Sequence, residues 1–237
     1  MKGNYNDIID IILTLLEDDE VGKSLAISGS IVPYIIMNIE SKEYHSDFYI
    51  LVKNKNINYI RNKIKKLSKE YDFDIISDSK KYSKEDFGFK IKYQDTYVGF
   101  FPYSIIDNIL TIKAYSIEDN DYVINLKTKT IPNITKSSFI RNIRFAKNKI
   151  LRIVTPEFIL ADKESRENES DNMTDEAMYL LNKISDESVL KITREAIEDT
   201  QIKIIEKKLV KNDKIVNIIL LFIFLMLLII AYICFKK

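Results

Sequence analysis

Three groups of residues in this sequence have the types and spacing that phosphate chemistry requires. Gly29 and Ser30 follow a short apolar run, where a glycine lets the backbone approach a phosphate and a serine supplies a hydroxyl donor. Asp47, after Ser46, opens the next apolar run and carries a carboxylate, the type of ligand that Mg²⁺ prefers. Lys163 belongs to a third group that begins at Thr155. We therefore treat Gly29, Ser30, Asp47 and Lys163 as candidates for one phosphate-binding site.

Each candidate also fits an ordinary structural role. A Gly-Ser pair commonly forms a strand-to-helix turn with the serine as a cap. Water at the start of a strand satisfies Asp47 equally well, and solvent on the polar face of a helix satisfies Lys163 and Arg166. His45, the single histidine, lies in a polar stretch, which predicts a solvated side chain. Whether the candidates converge in space decides between the two interpretations.

The hydrophobic pattern predicts the elements that position these residues. Helical spacing of apolar residues predicts helices over 8–16 and 57–70, and short apolar runs predict strands over 25–27 and 48–52. Further strands are predicted at 73–76, 87–93, 96–103, 110–115 and 122–126. This order predicts an α+β, α/β-like domain with a mixed sheet, flanking helices and a helical C-terminal part.

The second half of the chain is predicted to be mainly helical. Residues 127–152 carry eight Lys or Arg and no acid, and the spacing of their apolar residues predicts a helix. Thr155 as N-cap, followed by Pro156, predicts a helix start, and a long helix is predicted over 185–212. The basic stretch is either a solvated face paired with the acidic segment 164–187 or a surface for phosphates, RNA or an anionic membrane leaflet.

Composition narrows the classes of protein. The 237 residues carry 36 basic and 35 acidic side chains, and a net charge of +1 excludes nucleic-acid binding by bulk charge alone. A single cysteine, Cys234, excludes a disulfide framework and a Cys-rich zinc module. A single histidine argues against a His-based metal site and a Ser-His-Asp triad.

The C-terminal segment has the length and apolarity of a membrane span. Residues 218–235 are eighteen residues without a charge, and Lys236 and Lys237 follow them. The sequence therefore predicts one C-terminal transmembrane helix and a tail-anchored, single-pass membrane protein. Five lysines between 203 and 214 precede the span and two follow it, which predicts that residues 1–213 face the cytoplasm.

The order and spacing of the three chemical groups resemble the minimal nucleotidyltransferase superfamily, and within it the toxin-type members of abortive-infection and toxin–antitoxin systems. The resemblance covers roughly residues 20–182. It implies a nucleotidyltransferase-like fold that binds a nucleoside triphosphate and Mg²⁺. It further implies that Asp47 is a catalytic, metal-binding carboxylate and that Gly29, Ser30 and Lys163 bind the nucleotide.

Two positions depart from the pattern of that superfamily. Its members place two carboxylates at i and i+2 of one strand, because alternate residues share a face and hold Mg²⁺ jointly, and a later strand adds a third. Tyr49 stands at the second position and Gly99 at the third, and neither Asp95 nor His45 is a good replacement. Since two-metal phosphoryl transfer depends on these carboxylates, the departures predict a degraded metal site and a pseudoenzyme.

The sequence divides into three predicted parts and leaves three hypotheses for function. Residues 1–163 are the nucleotidyltransferase-like domain, 164–213 an acidic linker and helical stalk, and 214–237 the transmembrane anchor. The first hypothesis is a non-catalytic protein at the membrane that binds a nucleotide, RNA or a protein partner. The second is an active nucleotidyltransferase with an atypical site. The third is a tail-anchored interaction protein with no nucleotide role.

Overall fold

A computed structural model describes residues 3–46, 48–118, 123–146, 149–166 and 173–208 of the chain. These residues form eight α-helices and ten β-strands. The helices are α1 (Tyr5–Leu15), α2 (Asp19–Gly22), α3 (Val32–Met37), α4 (Ile57–Leu67), α5 (Lys136–Phe139), α6 (Pro156–Glu164), α7 (Asp175–Ile184) and α8 (Glu187–Glu198). The strands are β1 (Leu25–Ser28), β2 (Tyr49–Lys53), β3 (Phe73–Asp78), β4 (Phe89–Tyr93), β5 (Thr96–Ile106), β6 (Ile109–Ile117), β7 (Val123–Ile131), β8 (Ile140–Phe145), β9 (Lys149–Val154) and β10 (Gln201–Lys208).

The chain divides into two compact units. The larger comprises Met1–Tyr115 and Leu126–Ile204, and its strands are hydrogen-bonded in the order β7-β6-β5-β2-β1-β9-β8. Strand β4 also pairs with β5, and β3 pairs with β4. The second unit comprises Ser116–Asn125 and the chain from Ile205 onward, and within it the Glu118 amide donates to the Val123 carbonyl at 3.0 Å. The lining residues of the two sites described below all lie in the larger unit.

Strands β1, β2, β5 and β9 form the centre of a mixed sheet. Strand β1 runs antiparallel to β2, with Ser28 opposite Tyr49, whereas β2 runs parallel to β5 and β1 parallel to β9. All four residues of β1 are buried, and α1 and α4 pack their apolar faces into the same core. Strands covered on both faces have continuous apolar runs, which is why the short apolar runs in the sequence predicted them. The strands predicted over 25–27 and 48–52 are both present, and they are neighbours in one sheet.

The helix predicted over the basic stretch 127–152 is wrong. The structure places there the end of β7, the short helix α5, and the antiparallel pair β8 and β9, with Ile140 opposite Val154. Ile150, predicted to lie on the buried stripe of that helix, is 56% exposed. The apolar spacing in this stretch fits a helix only approximately. Pairing of β9 with β1 and burial of a sheet face stabilise strands here more than that spacing stabilises a helix.

The long helix predicted over 185–212 is also wrong. Helix α8 ends at Glu198, and residues Gln201–Lys208 form strand β10. Ile202, Ile204 and Ile205 are exposed on that strand. A run rich in isoleucine, which is β-branched and stiff at χ1, favours an extended backbone over continuation of the helix. The remainder of the predicted stalk lies outside the described residues.

No helix within residues 3–208, as far as the structure describes them, is both long and apolar enough to cross a membrane. The predicted span, residues 215–237, lies outside the described residues. The anchor and the cytoplasmic orientation of residues 1–213 therefore stay predictions.

Candidate functional site

The turn formed by Gly29 and Ser30 lies at the carboxyl end of β1, as the sequence predicts. Gly29 has φ of 100°, a left-handed backbone conformation that glycine adopts without the steric cost of a Cβ. The Ser30 side chain is buried, with its Oγ 2.7 Å from His45 Nδ1. Gly29 therefore has the backbone role expected of it, whereas the Ser30 hydroxyl bonds to a neighbouring imidazole.

His45 is not solvated, contrary to the sequence-based prediction. The residue is 2% exposed, its backbone amide donates to Asn4 Oδ1 at 2.8 Å, and the Tyr34 ring packs edge-on against its imidazole at 5.3 Å. Asn4, at the start of α1, holds this buried loop from a segment 41 residues earlier in the chain. Long-range contacts of this kind leave no pattern in the local sequence. For this reason a polar segment that is predicted to be solvated is buried in the structure.

Helix α6 brings its charged residues to the turn after β1. The Thr155 hydroxyl accepts a hydrogen bond from the Phe158 amide at 3.4 Å and donates to the Ser138 carbonyl at 2.7 Å, and Pro156 follows at the first helical position. The predicted helix start is thus confirmed. Its last turns place Asp162 and Lys163 beside Gly29, where all three residues line a cavity of about 100 Å³.

The candidates converge only in part. Gly29 and Lys163 share that cavity, while Ser30 is absent from its described lining. Asp47 lies outside the described residues, so its predicted role as catalytic and metal-binding carboxylate stays a prediction.

A second cavity of about 190 Å³ adjoins the first. Both are lined by Tyr49, Phe158, Asp162 and Arg166, and we refer to the two together as the cleft. The second cavity adds apolar side chains and two lysines, namely Leu51, Phe101, Ile112, Ala114, Lys127 and Lys129. The cleft therefore combines aromatic and aliphatic walls with cations.

The charge of the cleft is mainly positive. Asp162 is the acid among its described lining residues, and its carboxylate is paired with the Lys129 ammonium and, at 2.7 Å, with Arg166 Nη2. Lys127 and Lys163 add further positive charge. A surplus of cations over one paired carboxylate suits an anion such as a phosphate group.

The contribution of β7 to the cleft was not predicted from the sequence. Lys127 and Lys129 alternate with Thr128 and Thr130, a period of two that places both lysines on one face of a strand. This alternation, with its β-branched threonines, was the signal available in the sequence. The apolar spacing over 127–152 instead predicts a helix, and such a helix would include both lysines.

The strand register places side by side the two residues at which the sequence resemblance predicts departures. Tyr49 of β2 is the direct partner of Gly99 of β5. A Cβ at Gly99 would overlap the ring of Phe101, which in turn lies 6.1 Å from the Tyr49 ring. A phenol, a glycine and a phenyl ring thus lie together at this point of the sheet.

The described side chains do not fit the metal that the superfamily resemblance implies. Mg²⁺ requires oxygen ligands, and carboxylates are its usual protein ligands. Within the described ranges no three His, Cys, Asp or Glu side chains are grouped closely enough to hold an ion. Asp162 is paired with two cations, and the Phe101 ring fills the space beside Gly99.

Comparisons with known proteins point to one fold. No family model matches the sequence, and no curated protein matches it. The solution structure of the antibiotic-resistance factor ANT(2'')-Ia aligns with a TM-score of 0.51 at 14% identity, covering 81% of this chain and 90% of that one. The crystal structure of ANT(2'')-Ia in complex with adenylyl-2''-tobramycin gives a TM-score of 0.50 at 14% identity, covering 81% and 96%. ANT(2'')-Ia is an aminoglycoside nucleotidyltransferase, and this chain therefore has a nucleotidyltransferase-like fold.

Proposed function

We propose that this chain binds a nucleotide in the cleft and transfers its nucleotidyl group poorly or not at all. The observation that carries the proposal is the pairing of Tyr49 with Gly99 at the edge of a cationic cleft. The fold supports a nucleotide as the ligand class, since a structural neighbour was solved with adenylyl-2''-tobramycin. The side chains support binding without transfer.

Binding follows from the chemistry of the cleft. Lys127, Lys129 and Arg166 offer ammonium and guanidinium donors for phosphate oxygens, and such charge-assisted hydrogen bonds are among the strongest in proteins. The half-buried rings of Tyr49 and Phe101 offer a surface on which a base can stack. These contacts need no metal ion.

Poor transfer follows from the same residues. Nucleotidyl transfer requires stabilisation of the charge that develops on the phosphoryl oxygens and on the leaving pyrophosphate. In two-metal enzymes, carboxylates hold the ions that do this. Tyr49 and Gly99 supply no carboxylate, and Asp47 alone would hold an ion weakly.

The proposal is tested by measuring binding and transfer on the same full-length protein. Calorimetry with ATP, CTP, GTP and UTP, each with and without Mg²⁺, measures binding. Label transfer from the same nucleotides with Mg²⁺ or Mn²⁺ measures activity. We expect binding of at least one nucleotide with little dependence on Mg²⁺, and transfer near background.

A matched pair of variants locates the binding site. Lys127→Gln removes one cation from the cleft, and the loss of a charge-assisted hydrogen bond, worth about 1.5–3 kcal/mol, should weaken binding about tenfold or more. Lys65→Gln makes the same charge change on the exposed face of α4 and should leave the affinity unchanged. Robust transfer that Asp47→Ala abolishes would contradict the proposal in favour of an active enzyme. Absence of both binding and transfer would contradict it in favour of an interaction protein.

We further propose that the protein is tethered to a membrane by residues 215–237, with residues 1–213 in the cytoplasm. The uncharged run 218–235 and the lysines on either side of it support this arrangement. The sequence resemblance to toxin-type nucleotidyltransferases is the reason to look for the ligand or partner in a defence or toxin–antitoxin setting. RNA or a protein partner then remains the alternative occupant of the cleft.

A further inference from the structure

A second concave surface lies at the end of the central strands opposite the Gly-Ser turn. Lys23 lies two residues before β1 begins, and the antiparallel β2 ends beside it at Lys53, whose amide donates to the Ser24 carbonyl at 3.1 Å. Lys53 is in turn the register partner of Tyr103 on β5. Two cavities of about 630 Å³ and 410 Å³ lie here, and both are lined by Lys53, Lys136 and Arg152. We refer to them together as the basic groove.

Cations from four separate segments meet in the basic groove. They are Lys23, Lys53, Lys55, Lys136, Lys149 and Arg152. Among the described lining residues the acid is Asp19, which is exposed. Lys136, Lys149 and Arg152 belong to the basic stretch of the sequence, which the fold thus divides between the cleft and this opposite end of the sheet. The positive charges come together in the groove because the fold brings distant segments of the chain together. They are not displayed along a single helix.

Arg152 is the side chain that marks the basic groove as a binding site. The residue is 8% exposed, and its guanidinium donates to the Lys23 carbonyl and, at 3.2 Å, to the Tyr103 hydroxyl. Both acceptors are neutral, and within the described residues no carboxylate forms an ion pair with Arg152. A buried cation is costly unless an anion compensates it, and the two cavities are where an anion can reach it.

The electrostatics of Lys53 indicate the same unbalanced charge. Burial lowers the pKa of the Lys53 ammonium, and the positive charges of Arg152, Lys136 and Lys55 lower it further. Cations this close to one another repel, and their repulsion lowers the stability of the folded protein. A bound polyanion would compensate these positive charges, so that the same cations would attract the ligand.

We propose that the basic groove binds a compact ligand that carries two or more phosphate groups, with Arg152, Lys53 and Lys136 as its principal contacts. The described lining of the groove offers no accessible ring for stacking, which is the feature expected of a site for single-stranded nucleic acid. Its described aromatic residue, Tyr103, is 5% exposed and packs edge-on against Phe139 at 5.5 Å. Cations without a stacking surface favour clustered phosphates over a strand of bases.

The clustered phosphates have two sources, a free oligophosphate and the phosphorylated headgroup of a lipid. The chemistry of recognition is the same for both. Ile106 and Ile150, on the rim of the groove, are 66% and 56% exposed, and an apolar rim is compatible with the lipid source. The experiment therefore includes a probe for each.

The test is calorimetry on the full-length chain in uncharged detergent, with tripolyphosphate and a water-soluble short-chain bisphosphorylated inositol lipid as probes. Wild-type protein should bind at least one of them. Lys53→Gln/Lys136→Gln should weaken binding about tenfold or more, whereas Lys65→Gln/Lys66→Gln, with the same charge change on α4, should not. In thermal unfolding, the probe should raise the Tm of the wild-type protein and not that of the groove variant.

The outcomes separate the sources and the alternatives. Binding of tripolyphosphate supports a free oligophosphate, and binding of the lipid probe alone supports a headgroup. Equal loss in both double variants, or a comparable loss in Lys127→Gln, would overturn the proposal, because the phosphates would then bind diffusely or in the cleft. Tight binding of a uridine oligonucleotide without binding of either probe would overturn it in favour of RNA.

Discussion

At the scale of single residues, the chemistry of the cleft depends on the side chains that lie where β2 pairs with β5. Tyr49 and Gly99 are register partners, and the Phe101 ring lies where a Cβ at Gly99 would stand. Glycine leaves room here for the end of the Phe101 ring, which a larger side chain would displace. Tyr49 and Gly99 are thus both coupled to Phe101 by packing.

We predict that Gly99→Ala destabilises the protein by about 1–3 kcal/mol, the usual cost of overpacking. The cost should fall below about 0.5 kcal/mol in a Phe101→Leu background, because the smaller side chain leaves room for the added methyl. Urea unfolding of the wild type, both single variants and the double variant measures this coupling. Additive effects of the two substitutions would show that Phe101 is not what excludes a side chain at position 99.

At the scale of elements, one buried carboxylate connects three of them. Glu157, in the first turn of α6, is fully buried. Its carboxylate accepts from the Asp186 amide at 2.8 Å, at the start of α8, and from Arg141 Nη2 of β8 at 3.1 and 3.2 Å. The side chain therefore fixes the position of α6, and with it Asp162 and Lys163 in the cleft.

We predict that Glu157→Ala lowers the free energy of unfolding by about 2–3 kcal/mol, since it leaves a buried amide without an acceptor and removes the partner of a half-exposed arginine. Glu157→Gln keeps an oxygen acceptor for the Asp186 amide and should cost less than half as much. Urea midpoints at constant slope measure both changes. Equal losses in the two variants would mean that the charge, rather than the acceptor, is what the fold requires.

At the scale of the whole molecule, the fold separates positive charge that is continuous in the sequence. Lys127 and Lys129 face the cleft, while Lys136, Lys149 and Arg152 face the basic groove at the other end of the central strands. A net charge of +1 conceals this distribution. Two sites of positive charge in the larger unit suit a protein that binds phosphates in two places.

We predict that the full-length chain is recovered with membranes and that deletion of residues 215–237 releases it. The uncharged span supplies the hydrophobic driving force, so a charge at its centre, as in Leu227→Lys, should weaken retention by about 2.5–3.5 kcal/mol of insertion free energy. Fractionation with an alkaline wash measures retention, and Leu227→Ile is the matched control. Recovery of the intact chain without detergent in the soluble fraction would rule out the anchor. Protection of residues 1–213 from protease added outside sealed cells tests the orientation separately.

The sequence by itself determined the features that depend on local pattern. The Gly-Ser turn, the adjacent first strands, the Thr155 cap and the helices α1 and α4 all follow from apolar spacing and turn chemistry within a few residues. The resemblance to nucleotidyltransferases rested on the order of these features, and the fold agrees with it.

Only the tertiary structure decided the features that depend on pairing between distant segments. Strands β8, β9 and β10 lie where the sequence predicts helices, because the pairing of β9 with β1 and the β-branched side chains favour the extended backbone over a helical spacing of apolar residues. His45 is buried through Asn4, and Arg152 through Lys23 and Tyr103, and none of these contacts is local. The positions of the positively charged sites depend on which strand ends lie close together in the fold. The linear sequence does not show the distances between these strand ends.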